Sequence, residues 1–303
     1  MVSKIPDSRP TIPEKCWSLL PTVSAPMPFQ MALDEILFEL VRNGSPSPYP
    51  LPLKKGEGKG EGGWFPVLRF YFSSEPWVTV GYSNRAVIVS PVRDEAISDL
   101  RLLRRFAPRP PKDGSVRLLA DNDGVPVCRR ITGGGRVEHG KDLIFSLTAR
   151  TSEDGSFSSV RMSYLKIHEV IKAALEAFEL KPFFYRCDER LPRGNDCFHF
   201  PIATDLRVGN RKVAGGAQKR SAGALLHQES IQGMGSLDPK ELIRVLREKI
   251  EERFEVKCLP SDLDPELWIQ AKALAASKYQ TWPEEVEEAG ALAISNQRDE
   301  VLP

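Results

Sequence analysis

Arg129-Arg130-Ile131-Thr132-Gly133-Gly134-Gly135-Arg136-Val137-Glu138-His139-Gly140, continuing as Lys141-Asp142-Leu143-Ile144-Phe145-Ser146-Leu147, is the stretch on which the reading of this chain turns. Two arginines, a threonine hydroxyl and three consecutive glycines precede an apolar run that reads as a buried strand. Glycine loses more backbone freedom on ordering than any other residue and brings no side chain to pack. A run of three is kept where backbone amides must approach a ligand closely. Amide donors bunched beside guanidinium groups suit a phosphate, a carboxylate or a polarised carbonyl. The competing reading is a tight turn, because residues 127–131 and 143–149 both read as strands. The stretch alone leaves both open.

Working outward, residues 1–27 carry prolines at 6, 10, 13, 21 and 26 and read as an irregular lead-in. Residues 30–41 (QMALDEILFELV) place apolar side chains at helical spacing. Residues 43–63 are rich in Pro, Gly and charge, the composition of a flexible surface insertion. Residues 67–72 (VLRFYF) alternate like a half-buried strand, and 77–82 (WVTVGY) form a second strand ending at a glycine. Residues 106–125 make another irregular excursion. The clearest helix is 163–178, with His168 in its middle as a surface or packed residue. A loop-rich stretch over 185–201 holds Cys187, Cys197 and His199.

The hairpin signal Gly209-Asn210 joins strands at 205–208 and 211–216. A strand follows at 224–229, then helices over 238–253, with Pro239 in the first turn, and 266–278. The remaining tail, 286–303, is acidic and frayed. Without a strict βαβ series, a doubly wound nucleotide-binding domain is not expected. The pattern predicts an α/β (α+β) fold, a mixed β-sheet flanked by helices.

Composition sets broad bounds. The 303 residues allow a sizeable core, and 41% apolar with 27% charged residues is a globular balance. Lys plus Arg total 42 and Asp plus Glu 41, so charge does not point to nucleic acid or an anionic membrane. No apolar run reaches the roughly 18 residues of a spanning helix, and residues 1–13 carry no apolar signal region. Five cysteines at irregular spacing fit reduced thiols of a cytoplasmic protein better than a disulfide framework.

One motif misleads. Residues 135–142 nearly spell a P-loop, but Asp142 stands where a magnesium-binding hydroxyl is required, and a strand rather than a helix follows. A zinc site on Cys187, Cys197 and His199 lacks ligand spacing and a fourth partner, so no metal is expected. The second informative stretch is Gly209-Asn210-Arg211-Lys212-Val213-Ala214-Gly215-Gly216-Ala217-Gln218-Lys219-Arg220. Its small residues would let a bound group lie against the backbone, with Lys212 nearby.

Together the two stretches resemble the lipoate–protein ligase and octanoyltransferase family, a branch of the biotin/lipoate protein ligase superfamily. Arg129-Arg130-x-Thr132-Gly133-Gly134-Gly135, with His139 following, is similar to its acyl-pocket signature. Arg211-Lys212-Val213-Ala214-Gly215-x-Ala217-Gln218-x-Arg220 is similar to its catalytic-lysine signature. Ala32-Leu33-Asp34-Glu35 resembles the family's first helix, and residues 68–71 and 78–82 its first two strands. Residues 272–275, Lys278-Tyr279 and Trp282 resemble its ending. The resemblance runs from about residue 28 to 285 in the family's order, which sets the expected catalytic domain.

The resemblance implies attachment of an octanoyl or lipoyl group to a lysine of lipoyl domains, those of 2-oxoacid dehydrogenases or the glycine cleavage H protein. Octanoyltransferases take octanoate from acyl carrier protein, hold it as a cysteine thioester and need no cofactor. Ligases instead activate free lipoate with ATP and Mg2+ as an adenylate. Cys197 resembles the cysteine position of one octanoyltransferase group, and a nearby ammonium would favour its thiolate. Lys212 would polarise the acyl carbonyl. Asn195-Asp196 echoes a pair found in ligases, which keeps that reading open. A stretch after residue 285 too short for the larger C-terminal domain of many ligases tilts towards transfer.

Substrate contacts are expected from Arg130, Thr132, Gly133, Gly134, Gly135, Arg136, Val137, His139, Gly215, Ala217, Gln218 and His227. The chain departs from the family at His227-Gln228-Glu229, where His-Gly is usual, and at Arg136, where a small residue is usual. The first departure also admits a relative that binds acyl groups or lipoyl domains without catalysis.

Overall fold

The computed structural model describes residues 15–45, 66–82, 119–120, 125–185 and 204–279. Strands β1 (Cys16–Leu19) and β2 (Val23–Ala25) lead into helix α1 (Met27–Arg42). There follow β3 (Val67–Ser73), β4 (Trp77–Val80), β5 (Leu119–Ala120), β6 (Pro126–Arg129), β7 (Arg136–His139) and β8 (Leu143–Arg150). Helix α2 (Val160–Glu176) precedes β9 (Phe183–Phe184), β10 (Leu206–Val208), β11 (Arg211–Ser221) and β12 (Ala224–Ile231). The described chain closes with α3 (Pro239–Phe254), β13 (Lys257–Pro260), α4 (Pro265–Leu274) and a π turn at Ala275–Tyr279.

Among the described residues the strands form two mixed sheets. The larger runs β13-β1-β3-β8-β12-β11-β10-β9, with β2 beside β3, and the smaller runs β5-β6-β4-β7. The central strands are buried on both faces, and side-chain alternation sorts them. Leu68, Phe70, Phe145, Leu147 and Leu225 pack on the α2–α3 side with Ile167, Ile171 and Leu246. Val67, Tyr71, Ile144 and Leu226 face the other way, onto Leu33, Leu37 and Phe38 of α1.

The mixed sheet flanked by helices is therefore as expected, but several local expectations fail. The lead-in over 1–27 is not irregular where it can be seen. Residues Cys16–Leu19 and Val23–Ala25 are parallel strands on β13 and β3, too short to show a period. Helix α1 begins three residues before residue 30, because Pro28 sits in the first turn, where its missing N–H costs nothing. β3 is buried on both faces rather than half-buried. The glycine run does not simply join two strands of one sheet: β7 intervenes, and β6 and β8 belong to different sheets. Strand Lys257–Pro260 was not legible at all.

The rejected P-loop has no helix after it, since β8 follows at Leu143. Residues 46–63 of the expected insertion, most of the 106–125 excursion, Cys187, Cys197, His199 and the 286–303 tail lie outside the described residues. No helix of the described residues is long and apolar enough to cross a membrane.

Candidate active site

A cleft, partly open to solvent, lies between the small sheet and the α1 face of the large one. Met27 and Met31 of α1, Tyr71 of β3, Val137 of β7 and Ile144 of β8 supply its apolar wall. Thr79, Arg130, His139, Lys212, Gln228 and Ser230 bring polar groups to it.

The glycine run is shaped by close backbone approach. A Cβ on Gly81 would stand 2.1 Å from the Gly134 carbonyl oxygen and 2.7 Å from the Gly133 carbonyl carbon, so only glycine fits there. Gly134 takes a φ of +93°, a conformation glycine reaches without the strain of a Cβ. Arg130 braces the loop from inside, Nη2 donating to the carbonyls of Gly133 (2.8 Å) and Gly135 (3.0 Å). Its Nη1 donates to Thr79 Oγ1 at 3.2 Å.

Lys212 is not a solvated surface charge. Its side chain is 5% exposed and its ammonium pairs with Asp205 at 2.8 Å. The two glycines of β11 serve opposite faces of the strand. A Cβ on Gly215 would lie 2.5 Å from Lys212 Nζ, whereas one on Gly216 would lie 2.3 Å from Glu229 Oε2 and 2.7 Å from the His227 ring. Gly215 clears space for the lysine on the cleft side. Gly216 clears space for a buried cluster on the α2 side.

That cluster was not foreseen. Glu229 Oε2 meets His168 Nε2 at 3.1 Å and His227 Nε2 at 2.9 Å, all three side chains being buried. His168 Nδ1 faces the Thr204 carbonyl at 2.6 Å, and Gln218 Nε2 donates to His227 Nδ1 at 3.0 Å. Arg220 Nε donates to Gln218 Oε1, which fixes the amide's orientation. Hydrogen bonding and the directions in which these groups are shifted together favour one assignment. His227 is neutral with its proton on Nε2, Glu229 is ionised, and His168 donates from both nitrogens as an imidazolium. Burial pushes the Glu229 carboxyl up, but the His168 charge and both histidine hydrogen bonds outweigh it and hold it at about 2. Burial also opposes charge on His168, yet Glu229 and Thr204 raise it; for His227 burial prevails and lowers it.

A second network ties the glycine run to α1. Buried Asp34 accepts from Arg69 and Ser146 at Oδ1 and from Tyr71 and Gln228 at Oδ2, which fills its lone pairs. Gln228 in turn accepts from Thr132 Oγ1 at 2.7 Å. Glycine loop, α1, β3, β8 and β12 thus share one polar core.

His139 Nδ1 lies 2.7 Å from Asp142 Oδ2 and its Nε2 lies 2.8 Å from Thr79 Oγ1. Asp142 also accepts from Ser230 Oγ at 2.6 Å and from the Gly140 amide at 3.2 Å. Burial would raise its carboxyl, but His139 and these hydrogen bonds bring it below the ordinary range.

Of the residues expected to contact substrate, Arg130, Val137, His139, Gly215 and Ala217 line the cleft with Lys212. Thr132 is buried against Gln228, while Gln218 and His227 belong to the cluster behind β11 and β12. Gly133, Gly134, Gly135 and Arg136 are outside the lining, and Arg136 pairs with Glu138. Met27, Met31, Tyr71, Thr79, Ile144 and Ser230 were missed. Their only signal was an apolar or small residue at the right phase of a helix or strand. The described cysteines Cys16, Cys128 and Cys258 are buried, and burial raises each thiol.

The family described as the lipoyl protein ligase A/B catalytic domain matches residues 26–261. Among curated proteins, octanoyltransferase LipM of Geobacillus kaustophilus is 26% identical over 252 residues, covering 80% of this chain and 74% of its own. A solved lipoate-protein ligase A bound with ATP superposes with a TM-score of 0.56 at 18% identity, covering 88% of this chain and 97% of that one. The bi-partite lipoate protein ligase of Thermoplasma acidophilum, described with its E2 lipoyl domain, gives 0.54 at 16% identity, covering 88% and 95%.

Proposed function

Because the chain belongs to the lipoyl protein ligase A/B catalytic domain family, we propose that it transfers an octanoyl group from acyl carrier protein to a lysine of lipoyl domains. The acceptors are those of 2-oxoacid dehydrogenases or the glycine cleavage H protein. The similarity to LipM octanoyltransferases over most of the chain supports transfer over ligation. The observation that carries the reading is the Lys212 ammonium, almost fully buried beside Gly215 in a cleft with an apolar wall.

An octanoyl thioester is already activated, so transfer needs neither ATP nor a metal. In this reading Cys197, outside the described residues, attacks the donor thioester as a thiolate and holds the octanoyl group. Lys212 faces the carbonyl and stabilises the negative charge that develops on its oxygen, while Asp205 fixes the ammonium's position. Met27, Met31, Tyr71, Val137 and Ile144 would take the hydrocarbon chain. Arg130, which braces the glycine loop, brings its guanidinium to the cleft.

Lys212→Met keeps most of the side-chain volume and removes the charge. It is expected to slow octanoylation of a lipoyl domain by about 100- to 1,000-fold, the scale for one lost oxyanion stabiliser. Circular dichroism should be unchanged. A variant with wild-type transfer would sink the role given to Lys212. Acylation that requires free lipoate and Mg-ATP would identify the ligase chemistry instead.

A further inference from the structure

The cleft contains a second array besides Lys212. Thr79, His139 and Asp142 stand in line, with 2.8 Å between Thr79 Oγ1 and His139 Nε2 and 2.7 Å between His139 Nδ1 and Asp142 Oδ2. Hydrogen-bond bookkeeping assigns the protons. Asp142 is ionised and can only accept, so His139 Nδ1 carries a proton towards it. Arg130 Nη1 donates to Thr79 Oγ1, and the 2.8 Å contact allows the hydroxyl proton to go to His139 Nε2. With its proton on Nδ1, the imidazole presents Nε2 as an acceptor to a hydroxyl that lines the cleft. Ser230 Oγ and the Gly140 amide hold Asp142 in place. Ser230 stands opposite Gly215 in the β11–β12 ladder, and Lys212 lies against Gly215. The array and the lysine ammonium therefore face one cavity.

Acyl transfer to lysine has a requirement that Lys212 does not meet. The acceptor arrives as an ammonium and must shed a proton before its nitrogen can attack. We infer that His139 is the general base for the acceptor lysine, with Thr79 relaying the proton and Asp142 positioning the imidazole; this rests on the acyltransferase reading. Thr79 Oγ1 has one lone pair on Arg130 and a second for the ammonium. As it takes the ammonium proton, its own passes to His139 Nε2, and Asp142 stabilises the imidazolium. The amine lone pair then forms the C–N bond, the C–S bond breaks, and its electrons leave on sulfur. Sulfur takes the second amine proton and becomes a thiol. Among the described residues the charged groups around His139 are Asp142 from the β7–β8 turn, Arg130 behind Thr79, and Lys212 and Glu229, which line the same cleft.

The test separates loading from transfer. Wild type, His139→Gln and Thr79→Val are incubated with octanoyl–acyl carrier protein and weighed intact. Octanoyl is then passed either to a lipoyl domain or to hydroxylamine, a nucleophile already neutral at pH 7. Both variants should load octanoyl. Transfer to lysine should fall by about 100- to 10,000-fold in His139→Gln, the range for a lost general base. Hydroxylamine should react within about threefold of wild type, and the rise of the lysine rate with pH should flatten in this variant. Wild-type transfer to lysine by His139→Gln overturns the inference. So does an equal loss with hydroxylamine, or a loss of loading in both variants, each of which indicates a merely structural role. A wild-type chain that never loads octanoyl overturns the acyltransferase reading, and the inference falls with it.

Discussion

Two adjacent glycines show how residue-level sterics divide the work of β11. A methyl group on Gly215 meets only the far end of the flexible Lys212 side chain, which can move. Gly215→Ala should therefore keep the melting temperature while displacing the ammonium. A loss of about 10- to 100-fold in octanoyl transfer is expected, because small misplacements of a catalytic group are costly. Transfer kinetics beside thermal melting check this, and unchanged kinetics would contradict it. A methyl group on Gly81, by contrast, meets the backbone of Gly133 and Gly134. Gly81→Ala should lower stability by about 1–3 kcal/mol, the usual cost of overpacking, as measured by denaturant unfolding. Gly133 to Gly135 were legible in the sequence as a backbone device. Their partner Gly81 was legible only as the end of a strand, because the contact joins residues some fifty positions apart.

At the scale of elements, the amphipathic period of α1 could be read directly, but the importance of Asp34 could not. It looks like a polar residue on a helix, and its partners Arg69, Ser146 and Gln228 lie on three distant strands. Removing one partner from a buried ion pair leaves the other charge uncompensated. Asp34→Ala should cost about 3–5 kcal/mol and loosen α1, Gln228 and the glycine loop together. Urea unfolding with hydrogen exchange at α1 would report it. Strand β7 was missed for a related reason. Its four residues hold a single apolar side chain, Val137, beside a run of glycines, and its pairing with β4 is what makes it a strand.

Among the described residues the cleft is backed by a buried ionic cluster, and Glu229 belongs to both. The sequence marked His227-Gln228-Glu229 as a departure without revealing that Glu229 joins His168 and His227. The pH dependence follows from the directions of shift. Glu229 is depressed from 4.5 to about 2, so its stabilisation is present above 4.5 and is lost as pH falls towards 2. That amounts to a few kcal/mol in order of magnitude. His168 is raised above 6.5, so its contribution is full below 6.5 and fades as pH rises past its folded value. His227 is lowered, so its cost grows below 6.5 and offsets His168 there. Glu229 shares the acid limb with Asp142 and His227, and Glu229→Gln should remove its part, making the fall of the melting temperature below pH 4.5 shallower. An acid limb as steep as wild type would contradict the assignment.

The central claim is that this fold performs octanoyl transfer through an enzyme-bound thioester. It is tested most directly by incubating the chain with octanoyl–acyl carrier protein in the absence of ATP and weighing the intact protein. The account predicts a gain of one octanoyl group, discharged by a lipoyl domain and absent in Cys197→Ala. A chain that gains no octanoyl group, or a Cys197→Ala variant that acylates the lipoyl domain at full rate, would contradict it.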